Sequence, residues 1–120
     1  DTTPQLGGEL DCQAHSIGGT LQSATGDGTT TINWKNGNYF AFTFGPLNNT
    51  FTFTAPTKPG SFLLKMKQDA TGGRTPVWPA SVKWPSGTAA TLSTAANAED
   101  IITFFFDGTN YYAVETLNFS

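Results

Sequence analysis

The chain has one histidine, His15, and one cysteine, Cys12, close together near its start. A metal centre needs several imidazole, thiolate or carboxylate ligands at fixed spacing, and a lone neutral imidazole binds metal poorly. His15 has no Asp or Cys pair at ligand spacing, and no Asp-rich calcium loop occurs elsewhere. Nucleophilic hydrolysis needs the imidazole beside a positioned hydroxyl or thiol, and the chain has no Gly-x-Ser-x-Gly elbow. Two carboxylates suffice to cleave a glycosidic bond. The acids available in the strand-rich part are Glu99, Asp100, Asp107 and Glu115. A simpler reading makes Glu99 and Asp100 solvated gatekeepers ahead of an apolar strand and Asp107 the side chain of an Asx turn. The expectation is a protein without metal, cofactor or enzymatic activity.

Aromatic side chains remain as the groups able to recognise a partner. Trp34, Trp78, Trp84, Tyr39, Tyr111 and Tyr112 each combine an apolar face with a polar edge, which suits stacking on a sugar ring. Most belong in a core. Trp78 and Trp84 each precede a proline and a loop, and Tyr111 and Tyr112 are neighbours whose side chains must point to opposite faces of a strand. Trp78, Trp84, Tyr111 and Tyr112 are therefore the candidate receptor or subunit contacts, the outward tyrosine foremost.

The elements that would position these groups follow a period of two. Thr30, Ile32 and Trp34 share one face, with Thr29, Thr31, Asn33 and Lys35 on a polar outer face. Asn36-Gly37-Asn38 then predicts a hairpin turn. Phe40, Phe42 and Phe44, then Phe51 and Phe53, then Phe62, Leu64 and Met66 mark the inward phases of three further strands. Lys65 and Lys67 mark a solvated face of the last one. Pro79 and Pro85 stop two short extended pieces, Arg74 to Trp78 and Ser81 to Trp84. Thr91 to Asp100 contains the one plausible helical turn. Ile101 to Phe106 is apolar on both phases, which predicts a strand covered on both faces, and Asp107-Gly-Thr-Asn110 turns it into a closing hairpin with Tyr111 to Phe119.

At 120 residues the chain is one domain by length, long enough for a core without staples. Residues 1–26, punctuated by Gly7-Gly8 and Gly18-Gly19, form an irregular connector with at most one short strand; residues 27–120 form the domain. The expected fold is all-β, an antiparallel, jelly-roll-like β-sandwich. Charged residues make up 12% of the chain, so Thr, Ser, Asn, Gln and Gly must supply most of the surface. Such a composition fits an extracellular or virion β-protein. A net charge of −3 with six scattered Lys and Arg offers no cationic footprint for nucleic acid, and no window has the apolar length of a membrane-spanning helix. Cys12 alone allows no intramolecular disulfide, and an opening Asp1 in place of Met suggests a processed or partial piece of a longer chain.

Several longer motifs carry a family resemblance. Asp1-Thr-Thr-Pro-Gln-Leu-Gly-Gly-Glu-Leu-Asp11, with His15-Ser-Ile17 after it, resembles a connector that recurs in bacteriophage tail-fibre and related virion proteins. The stretches Lys67 to Thr75, Val77 to Pro85, Gly87 to Thr94 and Asp100 to Tyr112 resemble the same proteins, with Pro76 where a β-branched residue is usual. The resemblance implies a non-enzymatic virion module at the end of a fibre or on the capsid exterior, commonly homotrimeric, in contact with other virion proteins and with a host-surface glycan or protein. Subunit contacts in such a trimer would cover the second face of Ile101 to Phe106. Host attachment is the leading expectation. A capsid decoration protein and a carbohydrate-binding module of a secreted protein are the alternatives.

Overall fold

Strands form wherever the period of two keeps one phase apolar. A computed structural model describes Thr2 and residues 4–120 and contains nine strands and no α-helix among them. Asp1 and Thr3 of the opening motif lie outside the described residues. Six strands form one sheet in the order β1 (Leu21–Thr25), β3 (Tyr39–Thr43), β5 (Gly60–Lys67), β8 (Glu99–Phe106), β9 (Tyr111–Phe119) and β7 (Val82–Lys83). A second sheet has the order β2 (Thr29–Asn33), β4 (Asn49–Thr54), β6 (Pro76–Val77). The fold is all-β and sandwich-like, as expected. Phe42, Leu64, Met66, Ile102 and Phe104 from the larger sheet meet Ile32 and Phe51 from the smaller in one core. Trp34 sits among them, its ring 5.7 Å from Phe53 and 6.1 Å from Phe104.

Pairing is mixed, which corrects the expected antiparallel, jelly-roll-like pattern. Only β5–β8 and β8–β9 are antiparallel; β1–β3, β3–β5, β2–β4, β4–β6 and β7–β9 run parallel. The cause is local at Asn36-Gly37-Asn38, where no hairpin forms. The Asn33 side chain accepts a hydrogen bond from the Lys35 N–H and starts a 3-10 turn over Trp34–Asn36. This turn carries the chain from the smaller sheet across to the larger. Strands β1 to β7 alternate between the two sheets, so the chain winds as a short coil.

The corners of the coil are stacked backbone to backbone. The Gly26 N–H donates to the Thr43 carbonyl (2.8 Å), the Phe44 N–H to Lys67 (2.9 Å) and the Gln68 N–H to Ala98 (2.9 Å). A Cβ on Gly45 would run into the Gly26 carbonyl, so these two turns can stack only without a side chain there. Asn49, buried at the next corner, accepts from the Gly28 N–H at 3.3 Å and the Thr30 hydroxyl at 3.4 Å.

The closing hairpin forms as expected, with Asp107 Oδ1 accepting from the Thr109 and Asn110 N–H groups, both at 2.8 Å. No helix forms between Thr91 and Asp100: the segment makes one tight turn, the Ala98 N–H donating to the Ala95 carbonyl at 3.1 Å, before β8 starts at Glu99. Buried Gln68 holds it in place, donating to the carbonyls of Arg74 (2.9 Å) and Ser93 (3.1 Å) and accepting from the Arg74 N–H (2.9 Å). Asp100 is no solvated gatekeeper. It is 2% exposed, and its two oxygens accept from the Ser93 N–H (2.7 Å) and the Asn118 N–H (2.8 Å), the latter at a bulge in β9.

Candidate interaction surface

Strand alternation sends Phe40, Phe42, Leu64, Met66, Ile102 and Phe104 inward from the larger sheet, so the residues between them form its outer face. The ladder aligns Leu21, Tyr39, Leu63, Thr103 and Val114 in one row across five strands. The adjacent row contains Ser61, Phe105, Tyr112 and Lys83. Of these, Leu21 is 60% exposed, Phe105 52%, Val114 54% and Tyr112 47%. Together the apolar members expose on the order of 600 Å², the upper end of what a soluble single chain ordinarily leaves open. The strand expected to be covered on both faces is covered on one: Ile102, Phe104 and Phe106 are buried, while Phe105 is open to solvent.

Two hollows indent this side. One, of about 220 Å³, is lined by Leu21, Tyr39, Phe40, Leu63, Lys65 and Ile101. Its one cation, Lys65, is paired with Glu99 at 3.1 Å, an exposed pair contributing about 0–1 kcal/mol. The other, of about 280 Å³, lies where β7 ends and is lined by Lys83, Trp84, Pro85, Tyr112, Ala113 and Val114. Pro85 starts a 3-10 turn there, so β7 stops and the rest of β9 has no neighbour on that side. Beside this hollow Tyr112 and Phe105 lie with ring planes 27° apart and centroids 6.5 Å apart, forming an outward aromatic platform.

The four residues singled out from sequence fall in different places. Tyr112 is the outward tyrosine. Tyr111 is 2% exposed and packs on Phe53, Phe104 and Phe106, and burial pushes its phenol above the ordinary tyrosine range. Trp78 is partly buried and stacks on Phe51 at 5.1 Å, with Trp84 5.6 Å away. The structure thus brings Trp84 and Tyr112 to one hollow and leaves Trp78 and Tyr111 in the packing beneath. Leu21, Leu63 and Val114 had no place among the sequence candidates, and Tyr39 stood only among the aromatic residues able to stack on a sugar. Leu63 shares its phase with Lys65 and Lys67, and the two lysines made the whole face read as solvated.

The acids stand outside the lining of both hollows, although Glu99 pairs with Lys65 of the first. Asp107 is held below its ordinary value by the N–H groups of Asn110 and Thr109, and Asp69 by the Arg74 guanidinium and then the Gly72 N–H. Asp100 is bound to backbone and Glu99 to Lys65, and no acid lines either hollow. Glu115 is exposed on β9. Cys12 and His15 share only a backbone turn, the His15 N–H donating to the Cys12 carbonyl at 3.0 Å. Among the described residues no cluster of His, Cys, Asp and Glu is placed to hold a metal ion, and no helix is long and apolar enough to cross a membrane.

A family model described as "Putative phage tail fibre C-terminal domain" matches residues 24–111, from the end of β1 to the first residue of β9. No curated protein and no solved structure gives a significant match.

Proposed function

We propose, from the premise that this chain belongs to the phage tail fibre C-terminal domain family, that it attaches the virus particle to the surface of its host. Family membership makes it a structural component of the virion. Attachment is the finer reading, and the observation that carries it is the Phe105–Tyr112 platform beside the hollow containing Trp84 and Lys83. A sugar ring presents an apolar face to an aromatic ring and its hydroxyls to nearby polar groups, and this corner offers both kinds of partner. The domain acts without chemistry, by contact with a host-surface glycan.

One such corner binds weakly. Stacking on an aromatic pair contributes about 0.5–1.5 kcal/mol beyond area burial, a factor of about 2 to 13 in affinity. Repetition in a homotrimer, and of fibres on a particle anchored through other virion proteins, converts that into firm attachment through effective concentration. The test is titration of the domain with a panel of purified bacterial surface polysaccharides, followed by indole and phenol fluorescence. Tyr112→Ala should weaken the best binder about tenfold while leaving the unfolding curve unchanged. Equal binding by Tyr112→Ala and Phe105→Ala would sink the reading.

A further inference from the structure

We infer that the Tyr112 corner is selective for a sugar carrying one negative charge, a hexuronate, and that Lys83 is the residue that sets this selectivity. The inference rests on the attachment reading and names the class of glycan. Strand register places the parts. Phe105 is the partner of Tyr112 across β8 and β9, and Lys83 is its partner across β9 and β7, so the three stand side by side in one row of the outer face. Neighbouring strands lie about 4.8 Å apart, so a ring stacked on Tyr112 has Lys83 along one edge. Lys83 is exposed and lines the same hollow as Trp84 and Tyr112, and its Nζ donates to the Ala80 carbonyl at 3.1 Å. That bond tethers the ammonium without neutralising it, and an ammonium has further protons to donate.

The charges around the corner decide the sign of the ligand. Among the described residues the ion pairs are Lys65 with Glu99 and Arg74 with Asp69, and Lys83 belongs to neither. It is also the one charged residue in the lining of its hollow. The hollow beside Leu21 has a lysine too, but there Glu99 already supplies the opposite charge. Two acids bear on the orientation of a bound anion. Asp107 is held low by the N–H groups of Asn110 and Thr109 and, less strongly, by the Tyr112 hydroxyl, and Glu115 follows three residues after Tyr112 on β9. A hexuronate on the platform therefore turns its carboxylate across the strands, toward β7 and Lys83, and not along β9. One ammonium suits one charge; a phosphorylated sugar, with nearly two, is ordinarily held by an arginine cluster, which this corner lacks.

The test compares two probes that differ at one carbon: methyl glucoside, and the glucuronide made from it by oxidation at C6. Each is titrated at low salt against the whole chain, with the indole N–H resonance of Trp84 as the readout. The glucuronide should bind about two- to fivefold more tightly, the range of an exposed ion pair. That advantage should vanish in Lys83→Gln, and also at about 1 M salt, where charges are screened within about 3 Å. Lys83→Gln should keep the glucoside affinity and the unfolding curve of the wild type, and Lys83→Arg should retain the preference for the glucuronide. Tyr112→Ala should weaken both probes alike. Equal affinity of the wild type for the two probes, a preference that survives in Lys83→Gln, or no response of Trp84 to either probe would each overturn the inference. Attachment is judged separately: a neutral polysaccharide that binds the wild type, loses affinity in Tyr112→Ala and keeps it in Lys83→Gln leaves attachment standing and removes the charge selection.

Discussion

The two sheets present opposite outer faces to solvent. On the smaller one the outward phase of β2 and β4 is threonine: Thr29 lies beside Thr50 and Thr31 beside Thr52, the latter pair joined hydroxyl to hydroxyl at 2.6 Å. On the larger one the same phase includes Leu21, Tyr39, Leu63, Phe105, Tyr112 and Val114. Both sheets send apolar side chains into the one core, Ile32 and Phe51 from the smaller and Phe42, Leu64 and Ile102 from the larger, so packing the core explains neither outer face. Threonine keeps β propensity while remaining hydrated, and the chain uses it where a sheet only has to be wet. The contrast leaves the apolar outer face, on which the proposed contact would fall, to the larger sheet alone.

The largest perturbation should abolish the contrast by removing what both faces stand on. Phe104 touches Trp34, Phe53, Trp78 and Tyr111, so Phe104→Ala empties the centre between the sheets and should cost about 3–5 kcal/mol by denaturant unfolding. A loss under about 1 kcal/mol would mean that the sheets do not share a core. Asp100→Asn should cost about 1–3 kcal/mol, because a buried oxygen that accepts from Ser93 or Asn118 is replaced by a second donor. It should act on the larger sheet alone, loosening amide protection in β8 and β9 while β2 and β4 keep theirs.

Exchanging the faces should cost less. Leu63→Thr and Thr52→Val, measured at a dilution where single chains prevail, should each change stability by less than about 1 kcal/mol. A loss from Leu63→Thr as large as that from Phe104→Ala would show that the outer face is needed for folding. Acid should spare both faces and act on the loops at their ends. Asp69 and Asp107 titrate in the folded state below their ordinary 3.8, so their contribution is complete above that value and disappears as pH falls through the lower folded ones. Asp69→Asn with Asp107→Asn should therefore flatten the fall of the thermal midpoint below about pH 4, and an unchanged slope would assign acid sensitivity elsewhere.

Much of this was legible in the residues, because burial phase is a local property. Phe40, Phe42, Leu64, Met66, Ile102, Phe104 and Phe106 are inside where their spacing puts them. Strand direction was not legible, since an Asn-Gly pair is a local signal and the Asn33 side chain, three residues before Asn36, had already committed the chain to crossing. Burial of Asp100 escaped notice for a different reason. Its partners, Ser93 and Asn118, come from two separate segments, and beside Glu99 it looks like one of two similar acids. Of the contact surface, the Tyr112 alternation was readable, whereas the row through Leu21, Tyr39 and Leu63 exists only once parallel pairing sets the register.

The coiled path also dictates an order of events in time. Leu21 pairs beside Tyr39 and Tyr39 beside Leu63, so each turn of the winding closes a long loop, whereas Phe105 meets Tyr112 across the short Asp107–Asn110 turn. Loop-closure entropy favours the short closure, so the hairpin of β8 and β9 should form first and serve as the template for β5, with β3 and β1 added in reverse sequence order. Pulse-labelled hydrogen exchange during refolding should find β8 and β9 amides protected before those of β1; the opposite order would refute this. During synthesis on a ribosome β8 and β9, made after the other strands, would then be the first to pair, and the earlier strands would wait, extended, for them to arrive.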